Sequence, residues 1–489
     1  MTLWLPVLVP LAVAIVTFML GDRRTVARNV VNLVGSAVAG AAVITLVVHA
    51  YAGEQRATEI PMLPGLSFGL EADLLGLLFA TVATLLWAVT LVYAIGYMDH
   101  ARDRARFFGF FALCIAAANG VALARDPVTM FIFYEILSLT TYPLVVHSGT
   151  PEALAAGRRY LYYALGGGAA LLVGVAWLTA LAGPTPFTPG GALAGVADRS
   201  AELRIIFALL AAGFGVKAAL VPLHGWLPGA MVAPAPVSSL LHAVAVVKAG
   251  VFGIIRLVNE LYGPELASSL GVAQALAVLA AFTIVFGSVV ALRQDDLKKR
   301  LAYSTVAQLS YITLGTALCS PLAAAGALAH LAHHAVMKIT MFFTAGSLAE
   351  TLDVKRVSQM GGVARRMPLT MASFAVAAFA LAGIPPLAGF ASKWLLGTGA
   401  ADGGSTWAVV IYVASGALAM GYMVPILVAS LRPGTHDEPD GAESDPRMLW
   451  PIVTVGVLTI VLGLTAGLPG TPVHWAITAI APSFGGWTP

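Results

Sequence analysis

The chain has 489 residues, 59% of them hydrophobic and 10% charged, and its mean hydropathy is +0.87. So few charges cannot cover water-facing surfaces on several soluble domains, so the length counts membrane helices instead. A formal charge of +3 is too small to point to nucleic acid, and two distant cysteines, Cys114 and Cys319, support neither a disulfide framework nor an iron–sulfur or metal site. No cofactor and no redox chemistry are expected in this chain.

A bilayer core requires about 20 apolar residues per helix. Apolar windows fall at 3–20, 30–52, 73–97, 107–124, 128–147, 160–182, 204–222, 235–258, 267–292, 300–318, 321–348, 368–398, 405–430 and 449–468. They predict an all-α polytopic membrane protein with about 14 transmembrane helices. The first window has no basic stretch before it and no small-residue cleavage site after it, so it is expected to be a retained helix. The stretch near Trp475 to Ala481 is too short to span.

Basic residues are retained in cytoplasmic loops. Of 27 Lys and Arg, eighteen fall in the odd-numbered loops, among them Arg23, Arg102, Lys298 and Arg365. Five, namely Arg56, Arg125, Arg199, Arg204 and Arg256, fall in the even-numbered ones. This bias places both termini on the non-cytoplasmic side, as in a multi-pass protein of a bacterial inner membrane. The acidic segment from His436 to Asp445 is then a solvated cytoplasmic loop.

Four basic residues remain inside predicted helices, Lys217, Lys248, Lys338 and Lys393, and one acid, Glu135, sits in mid-helix. A charge at the bilayer centre costs about 2.5–3.5 kcal/mol on insertion scales, so each must face a partner or water. A snorkelling lysine or a structural ion pair would be the plain explanation, and Lys393, beside Trp394, suits it best. Four lysines to one carboxylate leave surplus bases, however, and a desolvated lysine can exchange a proton near neutral pH. These residues are therefore expected to carry protons. In the run from His330 to Lys338, the spacings place His330, His334 and Lys338 on one helical face as a relay. A His-x3-His spacing also suits a metal, but no third ligand accompanies it. His224 and His242 lie near Lys217 and Lys248 and are supporting candidates.

The seventh window runs through Gly213 to Lys217 into Pro222, Pro228, Pro234 and Pro236. The twelfth is interrupted at Gly383-Ile384-Pro385-Pro386 and followed by Lys393. Proline at membrane depth is tolerated where protein or a hydrated cavity satisfies the freed backbone groups. Two interrupted helices, each with one lysine and five helices apart, predict two inverted five-helix repeats, because an odd-numbered repeat reverses in the membrane. The expected units are residues 1–106 (helices 1–3), 107–260 (first repeat, helices 4–8), 261–432 (second repeat, helices 9–13) and 433–489 (acidic loop and helix 14).

At these residues the chain resembles the antiporter-like subunits shared by respiratory complex I, Mrp-type cation/proton antiporters and membrane-bound hydrogenases. The resemblance is carried by Gly215-Val216-Lys217 through Gly225-Trp226-Leu227-Pro228, by Ala233-Pro234-Ala235-Pro236-Val237-Ser238 and by Val247-Lys248-Ala249-Gly250. Phe133-Tyr134-Glu135, Leu301-Ala302-Tyr303-Ser304-Thr305, His334 to Lys338 and Gly383-Ile384-Pro385-Pro386 match as well. It implies that Glu135 pairs with Lys217, that Lys248 and His334 pass a proton along mid-membrane, and that Lys338 and Lys393 complete a second half-channel. The implied function is proton translocation within a multisubunit complex, driven by redox chemistry elsewhere or exchanged for sodium. Other membrane subunits are the implied partners. The chain would then have no catalytic site of its own while belonging to an NADH:quinone oxidoreductase-like or hydrogenase-like translocase, or to an antiporter. A self-sufficient transporter of an organic solute is the alternative; it predicts a midplane pocket of mixed polar and aromatic groups.

Overall fold

The computed structural model describes residues 2–54, 56–63, 66–433 and 443–488, so most of the expected acidic loop lies outside the described residues. The chain begins with α1 (Leu5–Leu20) and α2 (Thr25–Tyr51). A hairpin of β1 (Ala57–Leu63) and β2 (Leu66–Glu71) follows, then α3 (Leu74–Tyr97), α4 (Arg104–Leu123), α5 (Pro127–Val145), α6 (Pro151–Ala182) and α7 (Ser200–Lys217). Short pieces α8 (Trp226–Gly229) and α9 (Ala235–Ser239) lead through a π-helical turn, Leu240–Val244, into α10 (Val246–Arg256), and a second π-helical turn, Leu257–Tyr262, closes that helix. The rest comprises α11 (Pro264–Ser269), α12 (Val272–Leu292), α13 (Leu297–Ala317), α14 (Pro321–Leu352), α15 (Val363–Arg366), α16 (Pro368–Ala382), α17 (Ala388–Asp402), α18 (Thr406–Leu431), α19 (Pro446–Leu464) and α20 (Pro472–Ile480).

Helix starts follow local chemistry. Asp73, Asp126, Thr150 and Asp296 accept from backbone N–H groups at the starts of α3, α5, α6 and α13. Proline opens α5, α6, α14, α16 and α19, where a missing N–H leaves no intrahelical bond unmade.

Among the described residues, ten helical stretches are long and apolar enough to cross a membrane. The remaining four predicted windows are those covered by α7, α13, α14 and the α16–α17 pair, and they fall short for a physical reason: three carry His, Lys or Arg side chains and the fourth is interrupted. The hairpin is a departure from an all-helical expectation. It pairs antiparallel from Ala57↔Glu71 to Leu63↔Leu66, and Pro61 with the irregularity beside it obscured the strand pattern in the sequence.

Burial sorts the helices. The stretch Ala235–Tyr262 is wholly enclosed, and α14 is buried without interruption from Ala323 to Leu348. Peripheral α2, α6, α18 and α19 instead present apolar side chains outward, such as Val26, Leu172, Val413 and Val457. The helices that hold Lys248, His330, His334 and Lys338 thus form the centre of the bundle, shielded from lipid by their neighbours.

The expectation that lysines alone are basic outside the loops is corrected. Arg28, Arg256 and Arg300, all expected in loops, are 1%, 2% and 7% exposed. Arg256 lies at the end of α10 and bonds to Asp73 at 2.6 Å, to the adjacent Glu260 and to Ala122 O at 3.3 Å. Glu260, unlike the half-buried Glu135, is therefore a fully enclosed acid; the apolar window ended at Val258 because an Asn and a Glu follow it, while tertiary pairing lets the helix continue.

Candidate functional site

Both interruptions fall where proline predicts them. α7 ends at Lys217, and the chain runs through residues 218–225 without a regular helix before α8; α16 ends at Ala382, and α17 resumes at Ala388. Freed backbone groups find partners here: Trp226 Nε1 donates to Val216 O at 2.7 Å, and Lys393 Nζ donates to Leu381 O at 2.6 Å. Lys393 is thus fixed by a carbonyl left unpaired at the end of α16, where it can accept from an ammonium.

Lys217, 1% exposed, donates to Tyr134 O and stands over the Tyr134 ring, 3.2 Å from its centroid. The ring is held by its hydroxyl, which donates to Gly213 O at 3.0 Å. Carbonyl and π-face together stabilise a cation away from water. The implied Glu135–Lys217 pair is not a direct ion pair. Glu135 turns instead toward α6, where its carboxylate packs on Gly168, and its Oε1 is buried without a hydrogen-bond partner. The two charges still act on one another, but Tyr134 holds the ammonium. α10 comes against this place closely, since a Cβ on Gly250 would lie 2.9 Å from Lys217 Cβ.

Lys248 and His334, both fully buried, meet across α10 and α14 with Nζ 2.6 Å from Nδ1. Two cations cannot share so short a contact, so the pair holds one transferable proton, with the unprotonated partner accepting. His330 stacks on His334 with ring centroids 5.7 Å apart. Its nitrogens reach Ser392 Oγ at 2.9 Å and Gln308 Oε1 at 3.1 Å. The Tyr311 ring lies between His330, 5.8 Å away, and the Lys393 ammonium, 4.7 Å from its centroid. Lys338 stands to one side, donating to Ser304 Oγ and to Leu301 O at 3.1 Å.

The structure therefore brings Lys248, His334, His330 and Lys393 into one line through Tyr311, with Lys217 packed behind α10 and Lys338 as a branch. His242, on the π-helical turn, stacks on Phe342 at 4.4 Å with neither ring nitrogen hydrogen-bonded. His224 is not brought to the line; its ring packs against Phe286 at 5.0 Å and Tyr303 at 6.2 Å. Ser304, Gln308, Tyr311 and Ser392 escaped the sequence analysis as site members. Gln308 had a signal, the one side-chain amide in a membrane helix otherwise polar only through hydroxyl groups and its basic first turn. Tyr311 and Ser392 had none, since neither is unusual in a membrane helix.

Comparison with known proteins gives concordant matches. The family model "NADH:quinone oxidoreductase/Mrp antiporter, TM" matches residues 124–419, and that of the N-terminus of chain 5 of NADH-ubiquinone oxidoreductase (complex I) matches residues 64–108. NADH-quinone oxidoreductase subunit N of Desulforudis audaxviator is 36% identical over 76% of this chain and 77% of its own. Subunit L of the same enzyme from Mycobacterium tuberculosis is 31% identical over 96% of this chain and 76% of its own. A subunit of the Na(+)/H(+) antiporter of Alkalihalophilus pseudofirmus is 28% identical over 81% of this chain and 80% of its own. Among solved structures, a chain of the Mrp complex from Dietzia sp. superposes with a TM-score of 0.87 at 24% identity, covering 99% of this chain and 97% of that one. One of respiratory complex I from Thermus thermophilus gives 0.74, also at 24% identity, covering 96% and 98%. The fold and the matched segments agree: this chain belongs to the NADH:quinone oxidoreductase/Mrp antiporter transmembrane family.

Proposed function

We propose that the chain moves protons across a bacterial inner membrane as one subunit of a multisubunit complex, through the buried line of lysine and histidine. The observation that carries this reading is the Lys248–His334 contact, 2.6 Å at the enclosed centre of the bundle. A proton held between two bases at hydrogen-bond distance can hop without either group leaving its helix. His334 takes it on Nδ1 and releases it from Nε2, which makes no hydrogen bond within the protein, beside the stacked His330 ring that Gln308 and Ser392 hold in place. Tyr311 presents its π-face to Lys393, so that a protonated ammonium is stabilised at the end of the line.

Glu135 and Lys217 form the control element at the other end. A negative Glu135 favours a positive Lys217, and a charge arriving near Glu135 weakens that preference, releasing the Lys217 proton toward α10. Lys217, Lys248, Lys338 and Lys393 with His330 and His334 are the proton carriers in this account. The two interrupted helices are corresponding members of two inverted five-helix repeats, with both termini on the non-cytoplasmic side. The relatives are subunits of NADH-quinone oxidoreductase and of Na(+)/H(+) antiporters, which supports other membrane subunits as partners and leaves redox-driven pumping and sodium exchange as the two forms of coupling.

The test is proton uptake by membrane vesicles carrying the whole complex, with Lys217→Ala and Glu135→Ala separately. Loss of uptake in both, with the complex assembled, is the expected result. Uptake at the wild-type rate in both overturns the proposal.

A further inference from the structure

A groove of about 630 Å³ runs between α17 and α18 beside the end of α16. That volume lies within the roughly 300–1,000 Å³ of small-molecule sites. Ile384, Trp394 and Val413 on its walls are 40%, 60% and 68% exposed. α18 is long and apolar enough to cross a membrane, so this rim meets hydrocarbon or another membrane subunit. Gly397 is among the lining residues, and a Cβ built on it meets nothing within 4 Å, so the groove is open there.

Lys393, half-buried, is the only charged residue of the lining. A Cβ on Gly383, which also lines the groove, would lie 4.0 Å from Lys393 Nζ, so the ammonium stands at the wall itself. An ammonium has three N–H donors. One bonds to Leu381 O at 2.6 Å, and no other acceptor among the described residues takes a hydrogen bond from it. The lining hydroxyls are engaged elsewhere: Thr398 Oγ1 donates to Trp394 O at 2.8 Å, and the Tyr412 hydroxyl to Tyr311 O at 3.5 Å. Behind Lys393 stands the Tyr311 ring, 4.7 Å from the ammonium, and behind that ring His330. The interior thus offers Lys393 a π-face and another base, and among the described residues no carboxylate pairs with it. An apolar groove with one under-satisfied cation complements an amphipathic anion.

We propose that this groove binds an ionised long-chain fatty acid, its carboxylate on Lys393 and its acyl chain along Trp394, Gly397 and Val413, and that the bound acid holds proton transport back. Depth favours this ligand over a phospholipid. Lys393 precedes the end of α17 at Asp402 by a stretch of about 13 Å at the roughly 1.5 Å rise of a helical residue. A phosphate drawn that far from the interface would lose its water, whereas a fatty acid crosses hydrocarbon unionised and ionises on arrival. At an unprotonated Lys393 the carboxyl O–H breaks, its proton forms an N–H bond on Nζ, and carboxylate and ammonium remain as a pair. An opposite charge at that distance favours the protonated lysine, so the end of the line no longer gives up its proton. Binding stands on the groove alone; its effect on transport rests on the proton-translocation reading above.

The test uses the whole complex in membrane vesicles and a palmitic acid analogue with a photoreactive diazirine in its chain. After irradiation the label should appear on peptides of α17 and α18, and palmitate should displace it while hexadecanol and phosphatidylglycerol do not. This competition is read on the unaltered complex, so folding does not enter. Lys393→Gln should weaken the labelling about tenfold, the scale of one charge-assisted hydrogen bond. Gly397→Leu, whose side chain grows into open space, should abolish it. No label on these peptides, as when another subunit covers the face, overturns the site. Equal displacement by hexadecanol overturns the carboxylate contact with Lys393, and displacement by phosphatidylglycerol overturns the fatty acid in favour of a phospholipid. Palmitate should also slow proton transport, measured against each complex's own rate without it, more in the wild type than in Gly397→Leu; the leak that a fatty acid itself causes is common to both. Equal slowing with specific labelling overturns the effect on transport and leaves the site. If Lys217→Ala itself transports normally, the proton-translocation reading has failed, and the labelling still decides the site.

Discussion

Lys248 Nζ and His334 Nδ1 stand 2.6 Å apart in a part of the bundle that solvent does not reach, and neither residue has a carboxylate partner there. A structural salt bridge would pair a lysine with an acid; here one base meets another, so the two cannot both be charged at this contact. Removing either member therefore has different consequences for structure and for transport.

His334→Ala should abolish the shared proton while leaving Lys248 enclosed. Proton transport is expected to fall by about two to four orders of magnitude, the scale on which a positioned proton-transfer group acts. His334→Gln keeps an acceptor for Lys248 and should restore assembly but not transport. Dye-reported acidification of vesicles, alongside the amount of assembled complex, separates the two.

The position of Glu135 depends on glycine in α6. A Cβ on Gly168 would lie 2.7 Å from Glu135 Oε1, whereas one on Gly166 meets nothing within 4 Å. Gly168→Ala should therefore displace the carboxylate and depress transport, at an overpacking cost of about 1–3 kcal/mol. Gly166→Ala should match wild type in both transport and thermal stability. Equal effects of the two substitutions would show that Glu135 is not held through Gly168.

Arg256 is enclosed with Glu260 and half-buried Asp73. Arg256→Ala leaves a buried carboxylate unpaired, and a loss of about 3–5 kcal/mol is expected. Lys355→Ala, which breaks the exposed pair with Asp353, should cost no more than about 1 kcal/mol. Thermal unfolding of the complex in detergent measures both, and the ranking is the prediction.

Glu71, at the end of the hairpin, is raised above the ordinary carboxylate range, first by burial and then by neighbouring Asp73, with Arg125 opposing. A carboxyl with a raised folded pKa binds more protons folded than unfolded, so its contribution is fully present below the unfolded value and is lost as pH rises through the folded one. Glu71→Gln should therefore raise the melting temperature at neutral pH and change it little below about pH 4, where the native carboxyl is protonated in both states. A gain of equal size at both pH values would count against the titration of Glu71.

Composition and spacing alone determined that the chain is a bundle of membrane helices and where its helices break, and singled out four lysines and one glutamate inside them. Those features follow from local physics: apolar length against bilayer thickness, proline against the helix ladder, and the cost of a charge in hydrocarbon. The i, i+4 spacing also placed His330 and His334 on one face. What only the tertiary structure decided is which groups meet. Lys248 finds His334 because α10 and α14 are both enclosed and face one another, and Lys217 takes the Tyr134 carbonyl and ring because Glu135 turns toward a glycine in another helix. Arg256 is drawn out of its expected loop for the same reason: Glu260 lies one helical turn on, but Asp73 comes from 183 positions away. A contact between residues 86 positions apart depends on how whole helices pack, and periodicity within one helix carries no information about its neighbour's rotation.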